Sequence, residues 1–372
     1  MKILFVIPCG SYTPSGAVRV LQYLKHMRER NIRYSVLSHR SPVLHRWLLR
    51  ERPQSGKRRG LTRYPVNFFL NRHEVWERYR TSFMERLIAS LAPRYDAVFF
   101  QWILPSPDVI FRLKKLGVPL IYDFDDAVYL KEPERWKATI ENAWRVVAGN
   151  PFLAEQATRL NPHCVCVPSS IELDRYVLKN GSLVTQGPRE KTTVGWIGGS
   201  SNLAYLNLIV EPLRNLAAKG HKLEMLIAGT DHYDDSIPRF EGVKVTTIPV
   251  YSAEQIPAIA AKMDIGVMPL QDTEWERGKC AMKAIVYMGA GVPAVCSRVG
   301  EAMNIIVDGV NGYLAGSPAE WEEKIGLLID DPPQALEMGK KGRETVEGGF
   351  STKQCFYILY EKVLSGIPVR NR

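Results

Sequence analysis

Short apolar runs and amphipathic segments alternate along the first half of the chain. The apolar runs are nearly continuous, which is typical of strands that are covered on both faces of a parallel sheet. The segments between them, such as Val18–Arg30 and Asn71–Leu91, have apolar residues at helical spacing. The predicted strands are Lys2–Cys9, Tyr34–His39, Asp96–Trp102, Val118–Phe124, Trp144–Asn150 and Cys164–Ser170.

The same alternation starts again after a polar stretch that we interpret as a linker, residues 176–191. Two consecutive βα series predict two doubly wound α/β domains, residues 1–175 and 192–350, with a terminal helix in residues 351–372. Ligands of such sheets bind beyond the carboxyl ends of the strands, so we expect a site between the domains. The strands predicted in the second series are Thr193–Ile197, Lys222–Ala228, Val243–Val250, Asp264–Leu270, Pro293–Cys296 and Tyr313–Ala315.

Composition and charge narrow the class of protein. Of the 372 residues, 45% are hydrophobic and 24% charged, which is ordinary for a globular protein and excludes a disordered or fibrous chain. The longest uncharged runs, Ile3–Val18 and Ala284–Ser297, are shorter than the roughly 20 residues of a membrane span, so we expect a cytoplasmic protein. The net charge of +10 is uneven, because the first 100 residues hold 19 Lys and Arg against 6 Asp and Glu. This half has either an anionic partner or a solvated basic surface.

A loop rich in glycine and serine follows the first strand of each predicted domain. Gly16 closes the first of these loops, and Gly198, Gly199 and Ser200 open the second. Backbone N–H groups in such loops, together with the helix N-terminus that follows, bind phosphate or hydroxyl-rich ligands. We expect Ser200 or Ser201 to cap the helix predicted over residues 205–218. The glycine pattern of dinucleotide-binding proteins is incomplete, which disfavours a nicotinamide cofactor.

A basic loop follows the strand that ends at Leu270. Glu276, Arg277 and Lys279 precede a predicted helix that contains Lys283. We expect Arg277 and Lys279 at the helix N-terminus, where positive charge opposes the helix dipole unless an anion such as a diphosphate neutralises it. The alternative is a basic turn that faces solvent.

Three carboxylates crowd the end of another strand, at Asp123, Asp125 and Asp126. Like charges raise one another's pKa, so such a cluster indicates a metal site, recognition of hydroxyl groups or capping of a helix. The spacing of Asp123 and Asp125 is also similar to the haloacid-dehalogenase phosphatase motif, although Ala127 stands where that motif has Thr or Val.

With these loops, the chain resembles the retaining glycosyltransferases of the GT-B fold, in the large family 4 of glycosyl transferases group 1. Three segments carry the resemblance: MKILFVIP with its glycine loop, VPLIYDFDDAVYL with VVAGNPFLAEQATRLNP, and ERGKCAMKAIVYMGAGVPAVCSRVGEAMNIIVDGVNGYLA. It implies two Rossmann-like domains that face a cleft. Residues 1–175 would bind the acceptor and residues 192–350 the donor nucleotide sugar, while the terminal helix would pack back on the first domain.

The resemblance also implies roles for the residues named above. Many family members have two glutamates eight positions apart, where this chain has Gly278 and Val286, and Glu276 lies close to the first position. Asp125, Asp126 and Lys279 are the candidate catalytic residues, and no cofactor or essential metal is expected. The candidate donor-binding residues are Gly16, Gly198, Gly199, Ser200, Glu276, Arg277, Lys279 and Lys283.

The expected reaction moves a sugar from a nucleoside diphosphate sugar to a saccharide or lipid-linked acceptor, with retention, in surface polysaccharide or glycolipid assembly. The basic N-terminal half would contact an anionic membrane surface on its inner face, and no nucleic acid partner is expected. Two alternatives stay open. One is a nucleotide-sugar epimerase on the same fold, and the other is a non-catalytic basic protein that binds membranes or nucleic acid.

Overall fold

The computed structural model describes residues 1–8, 14–38, 83–178, 191–231 and 234–370. Its first sheet is parallel throughout and has six strands in the order β2-β1-β3-β4-β5-β6. The strands are β1 (Lys2–Ile7), β2 (Arg33–Ser38), β3 (Ala97–Gln101), β4 (Leu120–Phe124), β5 (Arg145–Ala148) and β6 (Cys164–Cys166).

The second sheet is also parallel, in the order β12-β11-β10-β7-β8-β9. Every strand predicted from the apolar runs is present in one of the two sheets, and the α/β fold class is confirmed. The strands of the second sheet are β7 (Thr192–Ile197), β8 (Leu223–Ala228), β9 (Lys244–Ile248), β10 (Ile265–Met268), β11 (Ala294–Ser297) and β12 (Tyr313–Ala315).

Helices cover both sheets. Those of the first half are α1 (Pro14–Arg19), α2 (Leu24–Glu29), α3 (residues 83–91), α4 (Pro107–Lys115), α5 (Pro133–Asn142) and α6 (Pro151–Thr158). Those of the second half are α7 (Val210–Ala218), α8 (Ile256–Ala260), α9 (Glu274–Arg277), α10 (Met282–Gly289), α11 (Ala302–Ile305), α12 (Pro318–Asp330), α13 (Pro332–Gly349) and α14 (Thr352–Lys362). No helix in the described ranges is both long and apolar enough to span a bilayer.

In two of the predicted helices, part of the segment is a 3₁₀ helix instead of an α-helix. The predicted helix Val18–Arg30 is divided by the 3₁₀ turn Leu21–Tyr23. The helix predicted over residues 205–218 is α-helical only from Val210, because Ser200–Ile209 forms a long 3₁₀ segment. Further 3₁₀ turns are Ala92–Arg94, Val128–Leu130, Leu173–Arg175, Asp234–Ser236, Ala253–Gln255 and Leu364–Gly366.

The two faces of the first sheet have separate cores. Ile3 and Phe5 of β1 pack with α14, which contributes Phe356, whereas Leu4 and Val6 join the core on the opposite face. Alternation along a strand explains this division, because successive side chains point to opposite faces. The last helix of the chain therefore lies on the first sheet.

The chain crosses between the sheets twice, and the two crossings are hydrogen-bonded to each other. The backbone N–H of Ile171 donates to the carbonyl of Phe350 at 3.1 Å, and that of Thr352 donates to the carbonyl of Ile171 at 2.9 Å. This pairing joins the segment that follows β6 to the start of α14.

Candidate functional site

The loops at the carboxyl ends of the two sheets meet in a cleft. Asp125 follows β4, and Cys280 lies between α9 and α10 of the second half. The thiol of Cys280 donates to the backbone carbonyl of Asp125 at 3.4 Å, although 155 residues separate them. The cleft brings the acidic loop and the basic loop together, as expected for a site between two doubly wound domains.

A chain of hydrogen bonds from the first sheet ends on Asp125. Gln101, the last residue of β3, donates from its amide Nε2 to the hydroxyl of Ser15 at 2.6 Å. The Ser15 hydroxyl in turn donates to Oδ1 of Asp125 at 2.5 Å. Gln101 is fully buried, and its Oε1 has no partner within the described residues. Sequence reasoning identified Asp125 and missed both Ser15 and Gln101, because the contacts join α1, β3 and the loop after β4.

Asp123 has a different role from its two neighbours in the acidic cluster. Both of its carboxylate oxygens lie 2.9 Å from Nε of Arg19. Nη1 of Arg19 donates to the Val167 carbonyl at 2.5 Å. Arg19 is 2% exposed and Asp123 1% exposed, so they form a buried ion pair. Among the described residues, no group of three or more acidic, His or Cys side chains is placed to hold a metal ion.

Asp125 and Asp126 are partly buried at the cleft, and their acidity is weakened. Burial raises the pKa of Asp125, against the opposing effects of Arg19 and of the Ser15 hydroxyl. Burial and the neighbouring Asp125 raise the pKa of Asp126 to about 7, against the charges of Lys279 and Lys131. A carboxyl group that titrates near neutral pH is suited to accepting or releasing a proton.

Two lysines form the basic side of the cleft. Burial and the nearby charge of Lys279 lower the pKa of Lys283 to about 8. Lys283 lies over the Trp196 indole, with Nζ 5.4 Å from the ring centroid. A Cβ at Gly198 would lie 2.4 Å from that indole and 3.1 Å from Cε of Lys283, so only glycine fits there. Within the described residues, neither lysine forms an ion pair with a carboxylate, and their charge is available to an anion.

Arg277 does not join these lysines, and the expectation that it lies at a helix N-terminus is wrong. It is the last residue of α9 and pairs with Asp272, at 2.7 Å from Nε and 3.1 Å from Nη2. The predicted single helix is broken, because Ala281 has a left-handed φ of 48° and α10 starts only at Met282. Lys279 lies in that break, and Arg277 is exposed at its edge.

Glu276 is buried beneath the basic loop. Its carboxylate accepts hydrogen bonds from the hydroxyls of Tyr205 and Thr273, so both of its oxygens are occupied within the second half. Burial and the hydrogen bond to Glu276 raise the pKa of Tyr205. Tyr205 and Thr273 could not be predicted as site residues from the sequence, because only their hydrogen bonds to Glu276 in the structure identify them.

The glycine and serine loops differ from expectation in two respects. Ser200 does not cap a helix but donates to Oδ2 of Asp231 at 2.8 Å, because Gly199 is the residue that precedes the 3₁₀ segment. Gly16 lies inside α1, which begins at Pro14, rather than in the loop before it. The residues between β1 and α1, 9–13, lie outside the described part of the chain.

Two Rossmann-like sheets that face each other across a cleft define a protein of the GT-B fold. Residues 191–331, in the second half of this GT-B chain, match the model of the family Glycosyl transferases group 1.

Solved structures and a curated relative show the same likeness. The chain superposes over 98% of its length on HepE of Anabaena, solved with UDP-glucose, with a TM-score of 0.67 at 15% identity and coverage of 100% of that chain. Sucrose-phosphate synthase of Thermosynechococcus elongatus gives a TM-score of 0.67 at 14% identity, covering 98% of this chain and 99% of that one. The capsular polysaccharide biosynthesis glycosyltransferase CapM of Staphylococcus aureus is 21% identical over 206 residues, which are 53% of this chain. The match spans 52% of CapM, about half the length of that relative.

Proposed function

We propose that the protein is a glycosyltransferase that moves a sugar from a nucleoside diphosphate sugar to a hydroxyl group of a saccharide or lipid-linked acceptor, with retention. The observation that carries this proposal is the pair Lys279 and Lys283, which has no carboxylate partner among the described residues and faces Asp125 and Asp126 across the cleft. The family match in residues 191–331 and the UDP-sugar bound to HepE support it.

The lysines would stabilise the leaving group. Cleavage of the anomeric bond leaves negative charge on the diphosphate, and preorganised cations and N–H donors lower the energy of that charge in a site with little water. Lys279 and Lys283 would supply the cations. The backbone at Gly199 and Ser200 would supply N–H donors, since the Gly198 N–H already donates to the carbonyl of Ala228 at 3.0 Å. The side chain of Glu276, already bonded to two hydroxyls, would hold the basic loop in place. No essential metal is required by this arrangement.

The carboxylates would act on the hydroxyl groups of the substrates. Asp126, with its pKa near 7, is able to take up the acceptor proton at neutral pH. Asp125 is fixed by the hydrogen bond that its Oδ1 accepts from the Ser15 hydroxyl. We assign Asp125 to orientation of sugar hydroxyls and Asp126 to the proton.

We further propose that the enzyme acts in surface polysaccharide or glycolipid assembly, in the cytoplasm at the inner face of the membrane. The excess of basic residues in the first 100 positions supports an anionic surface as partner. Apolar residues that lie close to arginines and lysines favour binding to an anionic membrane surface. The segments with this pattern are Ser41–Arg52, Lys57–Arg59 and Phe68–Leu70, and they lie outside the described residues. The likeness to CapM, a capsular polysaccharide enzyme, agrees with this assignment.

Release of nucleoside diphosphate from a panel of nucleotide sugars tests the proposal, with Lys279→Ala and Arg277→Ala compared on the best donor. Loss of a cation that stabilises the leaving group costs about 2–4 kcal/mol, so Lys279→Ala lowers kcat/KM about 30- to 1,000-fold. Arg277→Ala is the matched control, because its charge is exposed and paired with Asp272. Equal kinetics for the two variants, or no turnover of any nucleotide sugar, would contradict the proposal.

A further inference from the structure

The loop Gly278–Cys280 of the second half is docked against the first half of the chain. Asn150, which follows β5, donates from Nδ2 to the carbonyl of Gly278 at 2.9 Å and to that of Lys279 at 3.2 Å. Trp275, just before the loop, packs against the core of the first sheet, and Nζ of Lys131 lies 3.9 Å from the centre of its ring. The backbone that carries Lys279 is therefore held by residues of the other domain.

The fit between the two halves leaves little room for a side chain at Gly149 and Gly278. A Cβ at Gly278 would lie 3.0 Å from both Cβ and the backbone N of Ala127. A Cβ at Gly149 would lie 2.5 Å from the sulfur of Cys280. A Cβ at Gly149 would therefore force the Cys280 side chain to move, and a Cβ at Gly278 would push against Ala127.

The orientation of the Asn150 side-chain amide is fixed by the hydrogen bond that its oxygen accepts. Its Oδ1 accepts the backbone N–H of Leu153 at 2.8 Å and caps α6, so Nδ2 must point to the loop. Asn150 is fully buried, and both donors of its amide are used across the cleft. A buried donor that loses its acceptor is costly, so this amide favours the arrangement in which the loop is docked.

We propose that Asn150 is a positioning residue of the donor site, which places Lys279 for the diphosphate only when the two domains are closed on each other. This inference rests on the proposed function. It makes domain closure and binding of the diphosphate reciprocal, because whatever stabilises the docked loop raises the affinity for the ligand and the ligand stabilises docking equally. Asn150, in the first half of the chain, thus raises the affinity for the diphosphate without contacting it.

The substitution Asn150→Asp separates the positioning of the Lys279 loop from the capping of α6. Aspartate keeps the acceptor for the Leu153 N–H, but it replaces the two donors by an oxygen that faces the carbonyls of Gly278 and Lys279. The probe is UDP, titrated by calorimetry on the full chain. We expect a rise in Kd of about 10- to 100-fold, from lost hydrogen bonds and from repulsion between acceptors. Asn150→Ser, which keeps a cap and adds no charge, should raise Kd less and in the same direction.

Asn161 provides a matched control. It is also buried, donates from Nδ2 to the carbonyls of Ile140 at 2.8 Å and Ala143 at 2.7 Å, and accepts the His163 N–H at 2.9 Å. All these contacts lie within the first half. Asn161→Asp should therefore lower thermal stability while leaving the Kd for UDP within about twofold of the unaltered protein.

A double variant tests whether Asn150 acts through Lys279. If it does, Asn150→Asp should change Kd less than about threefold when Lys279 is already Ala, because the cation that it places is gone. Fully additive effects, or equal Kd values for the Asn150→Asp and Asn161→Asp proteins, would overturn the inference while leaving the proposed function intact. Failure of the unaltered protein to bind UDP, GDP, ADP and TDP would overturn both.

Discussion

Removal of the Arg19 charge should strongly destabilise the first half of the chain. In Arg19→Met the side chain keeps most of its apolar length, but Asp123 is left buried without a partner. Breaking a buried ion pair by removing one partner costs about 3–5 kcal/mol of unfolding free energy. The loss of the hydrogen bond to the Val167 carbonyl falls within that range. Arg19→Met with Asp123→Leu removes both charges and should recover more than half of the loss, because no buried charge is left uncompensated.

The pH dependence of this loss follows from the pKa of Asp123. Burial raises that pKa from 3.8 to about 6, and Arg19 opposes the rise, so its removal moves the pKa higher still. A carboxyl group whose pKa is raised in the folded state contributes stability at low pH and loses it as the pH rises through the folded value. The Arg19→Met protein therefore continues to lose stability as the pH rises above 6, whereas the unaltered protein loses no more stability from Asp123 there. The difference between them should grow by up to about 1.4 kcal/mol per pH unit.

Urea unfolding at pH 5.5, 7.0 and 8.5, followed by fluorescence and circular dichroism, measures this difference. Two-domain proteins often unfold in more than one transition, so the transition of the second domain serves as an internal reference. A loss below about 1 kcal/mol, or a loss that does not change with pH, would refute the reasoning about the buried pair.

Three further predictions concern the reaction and its location. Activity should survive dialysis against EDTA, and a loss that magnesium or manganese restores would instead favour Asp123 and Asp125 as metal ligands. Ser15→Ala should shift the acidic limb of the pH profile of kcat/KM to higher pH, because the hydroxyl lowers the pKa of Asp125, and an unchanged limb would exclude Asp125 as a group that must be ionised. The protein should sediment with anionic liposomes at low salt and less at high salt, and replacement of Lys57–Arg59 by Ser should weaken this binding; binding that ignores lipid charge would contradict the membrane assignment.

Apart from the partly exposed edge strands β2, β6 and β9, the strands could be predicted because they are buried on both faces. Such strands need apolar side chains at nearly every position, so each of them appears in the sequence as a continuous apolar run, which the helices do not have. The 3₁₀ segment Ser200–Ile209 was missed, since apolar spacing does not separate it from an α-helix. Pro212 was an available signal: proline lacks an N–H and fits only the first turn, which places the helix start near Val210, as observed.

The meeting of the acidic and basic loops could be predicted, but the partner of each charge could not. The carboxyl ends of parallel strands must meet at one edge, which brings Asp125 and Lys279 towards the same cleft. Arg277 belongs to the same loop as Lys279, yet it pairs with Asp272 because the break before α10 turns it away. Pairing depends on where a helix ends to within one residue, and helix ends are the least predictable part of a sequence pattern.

Gly149 and Gly278 show why the closure of the cleft was not predictable. A glycine in a loop normally indicates a left-handed backbone, but neither residue has one, and Gly278 has a φ of −73°. A Cβ at Gly149 would collide with Cys280 of the other half of the chain, and a Cβ at Gly278 would be in tight contact with Ala127. Asn150 reads locally as the cap of α6 and uses its remaining donors across the cleft. Residues that make contacts between the domains thus also have a role within their own loop or helix cap. The sequence pattern indicates that local role, and only the docked structure shows the contact with the other domain.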